Sequence, residues 1–566
     1  MKNKELAEIF AEIADALEFK GDNRFKIIAY RKASDVLNDL TDDVYVLARR
    51  RRLQEIPGIG EGIAKKIEEY LNTGRIRKHE EALSEIPRDL LKLLKVQNLG
   101  PKTLALVHEK LGVENLDDLK RVIQDGSLAS LFRMGEQRVN NIKKSIEVFL
   151  QTRERIPLYE ALETSDEIVN YLKTCPEIEQ VAPAGSLRRM RATVGDIDIL
   201  ATAREGAKII DFFTGYPKAD RILASGKTKG SILVRTGRDV RQVDLRIVPS
   251  DSYGAALQYF TGCKAHNVRL RGLAKEKGLK ISEYGVFRGS EKIAGRNEEE
   301  VYKAVGLPYI PPELRENRGE LEAALEKKLP DLVKLSDIKG DLHVHSSYSD
   351  GLSTIKEIAQ HAKALGYEYV AICDHSKSVR YAGGLNEDRL KKQMREIEKL
   401  NEEVEGVRIL KGVEVDILGD GALDLDLGLL EQLDIVVAAI HTGFKRNVTQ
   451  RIVKAIESPF VDIIAHPTGR LISGREGYEV DIDKVMEKAG ENKKMLELNA
   501  YPDRLDLNDL QLLKAKDMGV KISIGTDAHS VADMRWMQLG IGTARRGWLE
   551  RKDIVNTMSF LEMFGK

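Results

Sequence analysis

From residue 337 onward, short apolar runs alternate with amphipathic helices, and run after run ends on a histidine or an acid. The runs include 369–373 (YVAIC), 435–440 (IVVAAI), 461–465 (VDIIA) and 521–525 (KISIG). Such alternation is what βα units around a parallel sheet or barrel require. The polar groups are His343 and His345 on the strand DLHVH, Asp350 in the next turn, and Asp374-His375 after YVAIC. Glu414 in GVEVDI, His441 after IVVAAI, His466 after VDIIA, and Asp527 with His529 after KISIG complete the series. A barrel gathers its catalytic side chains on the rim made by the C-terminal ends of its strands. Repeated imidazole and carboxylate there predicts a metal cluster, suited to zinc, manganese or iron. Seven of the ten histidines lie beyond residue 336; His361, mid-helix in EIAQHAKAL, reads as structural.

The rest of the chain has two other textures. Residues 1–150 are short helices: Leu6, Ile9, Phe10, Ile13 and Leu17 recur at helical spacing, and Gly21-Asp22-Asn23 breaks the run. Near 157 short β-rich runs begin, 196–201 (DIDILA), 231–235 (SILVR) and 240–248 (VRQVDLRIV). Residues 306–336, with Pro308, Pro311, Pro312 and Pro330 and a Glu/Lys-rich helix, read as a linker.

Composition excludes several classes. Fifteen prolines and 46 glycines in 566 residues do not make a disordered or collagen-like chain. Cys175, Cys263 and Cys373 are too scattered for a disulfide framework or a cysteine zinc ribbon. No apolar stretch approaches the roughly 20 residues that span a bilayer, and the charged opening MKNKE is not a signal peptide. A soluble protein of the cytoplasm, near the nucleoid, is expected, with no membrane partner. The zero net charge hides an asymmetry: residues 331–566 carry 33 Lys and Arg against 39 Asp and Glu, and residues 1–330 carry 57 against 51. A basic first half leaves room for nucleic acid, because the field that matters is local.

Two turns in the helical arm fit a phosphate. Ile56-Pro57-Gly58-Ile59-Gly60 and Leu99-Gly100-Pro101-Lys102 each join two short helices. Glycine permits close approach, and the N–H groups at the next helix start can hold a phosphate oxygen. This is the helix-hairpin-helix pattern, which grips duplex backbone without reading sequence; monovalent cations are expected at these turns. Lys65, Lys66, Arg75, Arg77 and Lys78 flank the first. A solvated basic face on a bundle is the plain alternative.

Residues 185–200 read GSLRRMRATVGDIDIL. Asp196 and Asp198, two apart on a strand, share one face. Carboxylates so close raise each other's pKa unless a divalent cation sits between them. Asp244, in QVDLR, adds a third from another strand. Three oxygens completed by water and substrate phosphates suit magnesium, or manganese. Gly185-Ser186 offers a small turn and a hydroxyl where a triphosphate would lie, with Arg188, Arg189 and Arg191 nearby. Two-metal phosphoryl transfer is the implied chemistry.

On these motifs residues 1–318 resemble the family X DNA polymerases. Tyr259-Phe260-Thr261-Gly262 is similar to the family's YFTG segment, which abuts the incoming sugar, and 283–288 (EYGVFR) resembles its thumb strand. The resemblance implies that Gly185, Ser186 and Arg189 receive the triphosphate, that Tyr259, Phe260 and Gly262 face the sugar, and that Asn267 and Arg271 face the base pair and template. It places Lys66 where repair members carry a Schiff-base lysine for deoxyribose-phosphate removal, with Lys26 and Lys78 at neighbouring basic positions, and Gly58, Gly60, Gly100 and Lys102 on DNA. Gly62 stands where the lyase pocket has a lysine, so Lys66 is read equally as lyase nucleophile or phosphate binder. Gln242 replaces an arginine two residues before Asp244, which should change how that carboxylate is held. His266 and Val268 depart from the family beside the base pair.

Residues 337–566 resemble the PHP (polymerase and histidinol phosphatase) family, with every ligand position filled. That resemblance implies three divalent ions: one amid His343, His345, Glu414 and Asp527; a second on His375 and His441 with Glu414 bridging; a third on Asp350, His466 and His529. Water activated there would attack a phosphodiester or phosphomonoester; Arg470 and Arg504 would hold substrate phosphates or stand as charges on the rim.

The expected fold is multidomain. A helical lyase-like domain with helix-hairpin-helix (1–80) precedes a duplex-binding helical domain (81–152). An α/β nucleotidyltransferase palm (153–250), a thumb (251–318) and a linker (319–336) lead to a distorted (β/α)7 PHP barrel (337–566). The implied activity is gap-filling DNA synthesis in repair, with 3′–5′ exonuclease or 3′-end processing and abasic-site cutting in the barrel. Gapped or nicked duplex DNA and deoxynucleoside triphosphates would be the partners of a monomer. Two alternatives stand beside it: a phosphatase acting on small phosphomonoesters, and a DNA-binding repair scaffold without catalysis.

Overall fold

The computed structural model describes residues 2–40, 44–49, 51–56, 58–84, 86–87, 90, 93, 99–131, 134–151, 155–236, 239–472, 474 and 477–565. The chain forms two compact units, 1–153 and 154–566. Among the described residues no helix is long and apolar enough to cross a membrane.

The first unit is helical. The expected break holds: one helix spans Lys2–Phe19 and the next Arg24–Asp39, opened by Asn23, whose side chain accepts from the Phe25 amide. Leu6, Phe10 and Ile13 pack with Ile59 and with Ile63 and Ile67 of the helix Glu61–Thr73. A second core joins Leu99, Leu104, Leu119, Met134 and Ile142.

The second unit opens on the short strands β1 (Ile156–Pro157), β2 (Ile178–Pro183) and β3 (Thr193–Val194). There follow β4 (Ile197–Ala203), β5 (Ala219–Ser225), β6 (Lys229–Thr236) and β7 (Asp239–Val248). The palm sheet runs β2-β4-β7-β6-β5 and is antiparallel except for β4 and β7, which pair in parallel and set Asp198 beside Asp244. Strands β8 (Lys280–Ser282), β9 (Gly285–Arg288) and β10 (Glu291–Ala294) make the small antiparallel sheet of the thumb.

The third sheet is built from β11 (Gly340–Val344), β12 (Tyr369–Ile372), β13 (Arg408–Asp416), β14 (Ile435–Ala439), β15 (Ile463–Ile464), β16 (Met495–Asn499) and β17 (Ile522–Gly525). All six neighbouring pairs are parallel, and the seven strands follow chain order. A bridge between Val344 and Ala528 brings the last strand to the first, closing the (β/α)7 barrel that the alternation predicts.

The stretch 319–336 is packed rather than a loose tether. Its helix Glu320–Leu325 buries Leu321 and Ala324 in the thumb core with Leu332, and the Val333 amide donates to the Leu549 carbonyl at 3.1 Å. The palm core also takes in Leu505 and Leu539 from the barrel, with Ile472 and Trp536 packed against it.

Candidate active sites

In the palm, Asp196, Asp198 and Asp244 bring carboxylate oxygens within 4.8 Å of one another. Asp196 is exposed and precedes β4, whereas Asp198 lies inside the strand. Burial, then the charges of Asp196 and Asp244, push Asp198 up to about 7. Lys229 and Arg246 offset only part of that rise, and three converging carboxylates fit a hard divalent cation. Gly185 at φ 61° is required here: a Cβ would run into the Asp198 carboxylate. Gln242 changes how Asp244 is held: neutral groups take one of its oxygens and a lysine takes the other. Gln242 Nε2 donates to Oδ1 at 3.0 Å, Ser231 Oγ donates to Oδ1 at 2.6 Å, and Lys229 Nζ lies 3.0 Å from Oδ2.

The arginines read as charge for a triphosphate are committed to protein acids. Arg188 pairs with Glu298 at 2.7 Å, Arg189 with Glu316 at 2.9 Å, and Arg191 with Glu316 at 3.3 Å. Arg189 Nη1 also donates to the Thr261 carbonyl at 2.7 Å, inside YFTG. Asn267, read as facing the base pair, donates to the Tyr259 carbonyl at 2.7 Å and the Gly262 carbonyl at 3.0 Å, so its amide pins the turn. Gly262 is tight, because a Cβ would come 2.7 Å from Asn267 Oδ1. Half-buried Phe260 stacks on the Arg246 guanidinium at 4.6 Å; Tyr259 and Ser186 are half-buried and Arg271 exposed. His266 belongs to the interior instead: fully buried, it meets Glu320 at 2.6 Å and the Tyr302 hydroxyl at 3.0 Å.

In the barrel Glu414 is the hub. Its Oε2 lies 2.6 Å from His375 Nδ1, 3.7 Å from His343 Nε2 and 3.8 Å from His345 Nε2. Its Oε1 lies 3.1 Å from His466 Nε2 and 3.4 Å from His441 Nε2. Three ligand groups result: His343, His345 and Asp527; His375, Glu414 and His441; and His345, Asp350, His375 and His529. This corrects the expected third set. Asp350 meets His529 (3.4 Å) and His375 (3.6 Å), while His466, at the end of the neighbouring β15, reaches Glu414. His466 (φ 28°) and Asp527 (φ 53°) hold left-handed backbone, a strain that functional sites carry.

The electrostatics fit cations. Burial pushes the imidazoles down, yet Glu414 and Asp350 lift His375 to about 10, and Glu414 and Asp416 lift His441 to about 9. His345, amid other imidazoles, is held near 3 by burial and by His375. The Nδ1 atoms of His345 and His466 are buried without a hydrogen bond, and Glu414 Oε2 and His375 Nδ1 have only their own 2.6 Å contact. Orphaned lone pairs around a negative centre are what ligands for divalent ions look like.

Sequence reading missed the residues that orient these ligands. Glu497 on β16 lies 2.6 Å from His343 Nδ1 and accepts from the His466 amide at 2.8 Å. Asp416 lies 3.2 Å from His441 Nδ1, and Asn499 donates to Glu497 and Asp527 at 3.1 Å each. An acid at a buried position of an apolar strand was the available signal. Of the two arginines read as phosphate holders, Arg504 Nε comes 3.7 Å from Asp527 and faces the cluster. Arg470 does not: its guanidinium donates to the carbonyls of Arg504 (2.8 Å) and Leu505, so it shapes that loop.

In the helical unit, Gly60 and Gly100 are exposed helix N-caps after a buried apolar residue, and the space where a Cβ would stand is open. Each carbonyl accepts from two following amides, Ile63 and Ala64 for Gly60, Thr103 and Leu104 for Gly100. Gly135, before the helix Glu136–Gln151, repeats the arrangement with Arg138 and Val139, a third turn the sequence reading passed over. Gly58 takes φ 105° against Lys32. Pro57 and the Lys102 side chain lie outside the described residues. Lys66 Nζ donates to the Gly62 carbonyl at 3.0 Å; Lys26 and Lys78 pair with Asp22 (3.3 Å) and Glu81 (3.4 Å).

Comparison with known proteins agrees with this division. Residues 1–76 match a helix-hairpin-helix domain model, 256–316 the DNA polymerase beta thumb, and 341–501 the PHP domain. The whole chain is 39% identical to the DNA polymerase/3′-5′ exonuclease PolX of Bacillus subtilis, covering 99% of it. The chain belongs to the family X DNA polymerases that carry a PHP domain. Over 55% of its length this family X chain is also 26% identical to DNA polymerase lambda of Arabidopsis thaliana, covering 62% of that protein. Over 38% of its length it is 35% identical to a probable phosphatase of Thermoanaerobacter, covering 89% of that protein.

Proposed function

We propose that this enzyme fills short gaps in DNA during repair and trims or unblocks the 3′ end with its barrel. The single observation that carries the synthetic half is the parallel pairing of Asp198 with Asp244, with Asp196 alongside, beneath the side-chain-free Gly185. The proposed domains are 1–80, 81–152, 153–250, 251–318, 319–336 and 337–566. Gapped or nicked duplex DNA and deoxynucleoside triphosphates are the proposed substrates of a cytoplasmic monomer.

Magnesium or manganese ions on the three aspartates would supply charge neutralisation for phosphoryl transfer. The chain's own residues do the rest. Ser231, Gln242 and Lys229 fix both oxygens of Asp244, so that carboxylate cannot rotate away. Asn267 holds the Tyr259–Gly262 turn rigid against the incoming sugar. Ser186 and the uncommitted Nη2 of Arg189 receive the triphosphate, and Arg271 faces the template. Gly60, Gly100 and Gly135 hold duplex phosphates on helix N-termini, with monovalent cations at the turns. With Gly62 in place of the lyase pocket's lysine, Lys66 is proposed as a phosphate binder.

In the barrel, zinc, manganese or iron ions, up to three, would activate water and neutralise phosphate oxygens. Glu497 and Asp416 keep Nε2 of His343 and His441 turned to the cluster, and Arg504 steadies the phosphate being cleaved. The test is a gapped duplex ending in a 3′-phosphate, given nucleotides with magnesium or manganese, its products sized on a gel. Extension after end removal is expected; an inert duplex rejects the reading. The likeness of the barrel to a probable phosphatase favours a second reading, phosphomonoester hydrolysis, which rapid turnover of histidinol phosphate beside inert DNA would select.

A further inference from the structure

Palm, thumb and barrel share one buried cluster of charges. Arg189 of the palm (8% exposed), Glu316 after the thumb (5%) and Arg546 of the barrel (4%) lie at its centre. Arg546 Nη1 is 2.9 Å from Glu316 Oε1, the oxygen that Arg189 Nε meets at 2.9 Å, and it also donates to the Arg189 carbonyl at 2.7 Å. Behind it, Arg546 Nη2 is 2.5 Å from Asp509 Oδ2, which Arg318 meets at 2.9 Å. Burial pushes Glu316 up, but Arg546, then Arg189, Arg191 and Arg318, bring it down to about 2. The packing is close as well: Gly542, four residues before Arg546, lies under the Met190 side chain, where a Cβ would run into Met190 Cε.

Arg189 follows Gly185-Ser186 by one helical turn and ends in YFTG through its bond to the Thr261 carbonyl. A long arginine chain has many rotamers, and only partners on several sides select one. Glu316 takes Nε and Thr261 takes Nη1, which leaves Nη2 for a ligand. Arg546 fixes the Arg189 backbone and the acid that holds its guanidinium together.

We infer that Arg546, a barrel residue, is a positioning residue of the polymerase nucleotide site, acting through Glu316 on Arg189. The inference rests on the reading of Arg189 as a triphosphate contact. It makes the barrel part of the synthetic site in addition to any nuclease it carries.

Single-nucleotide gap filling by the full chain, with nucleotide concentration varied, tests it. Arg546→Met should raise the nucleotide KM about tenfold and leave kcat and the 3′–5′ exonuclease rate within about twofold. Arg546→Lys, which keeps the charge without the planar fork, should fall between. A nucleotide KM within about twofold of the parent in Arg546→Met overturns the inference. If Arg546→Met loses the exonuclease as well, Arg546→Lys decides by the same criterion. Arg189→Met separates the two ideas: an unchanged KM there removes the triphosphate reading, whereas a raised KM there with an unchanged one in Arg546→Met removes this inference alone.

Discussion

Glu497 holds Nδ1 of His343 at 2.6 Å and so turns Nε2 of that ring toward His345, Asp527 and Glu414. Asp416 does the same for His441, and the Asp527 carbonyl, 2.8 Å from Nδ1, for His529. Three rings are thus oriented by oxygens that meet their Nδ1 atoms.

Glu497→Gln should therefore weaken metal retention about 10–100-fold. Dialysis followed by metal analysis should find less bound metal, and excess metal should restore the exonuclease while polymerisation stays unchanged. Full retention of metal would show that the carboxylate does not matter to His343.

The acidic triplet and the imidazole cluster use different residues throughout. Asp198→Ala should lower nucleotide addition at least about a thousandfold and spare the exonuclease. His343→Ala with His345→Ala should do the reverse. Parallel primer-extension and 3′-degradation assays check both, and joint loss in either variant would contradict separate centres.

Glu316 gives a pH signature. Its folded pKa is depressed to about 2, so its stabilisation is fully present above the ordinary glutamate range and is lost as pH falls through about 2. Glu316→Gln should cost on the order of 3 kcal/mol at pH 7, and the gap to the parent should narrow as pH drops below 4.5. Urea titrations of both proteins at pH 7 and pH 3 measure it, and a constant gap would refute the assignment.

Duplex affinity should fall as salt rises, because phosphate contacts release counterions. Gly60→Val with Gly100→Val, which fills both open N-caps, should cost about tenfold in affinity. Fluorescence anisotropy across a salt series reads both effects; flat binding, or full affinity in the double variant, would remove the phosphate grips.

Much of the fold and of the site is legible in the sequence. The barrel can be read because most of the candidate ligands lie in or just after an apolar strand, and Asp198 with Asp244 because both sit in alternating runs. What stayed hidden depends on neighbours distant in the chain. His466 lies against Glu414 rather than beside Asp350 and His529, because its neighbour is fixed by the pairing of β15 with β14 beside β13, a relation that residue types do not encode. Glu497 looked like any strand acid until β16 took its place. Arg470 and Arg504 are alike in sequence, yet one faces backbone carbonyls and the other the cluster. Arg189 meets Arg546 across 357 residues, and no local pattern announces that.

Leu505 and Leu539 sit in the palm's apolar interior although they come from the barrel. A backbone cut in 319–336 would therefore leave two fragments still joined by a shared apolar seam, and pulling them apart would wet those leucines. In this chain the two halves are fastened by solvent exclusion as well as by the peptide thread.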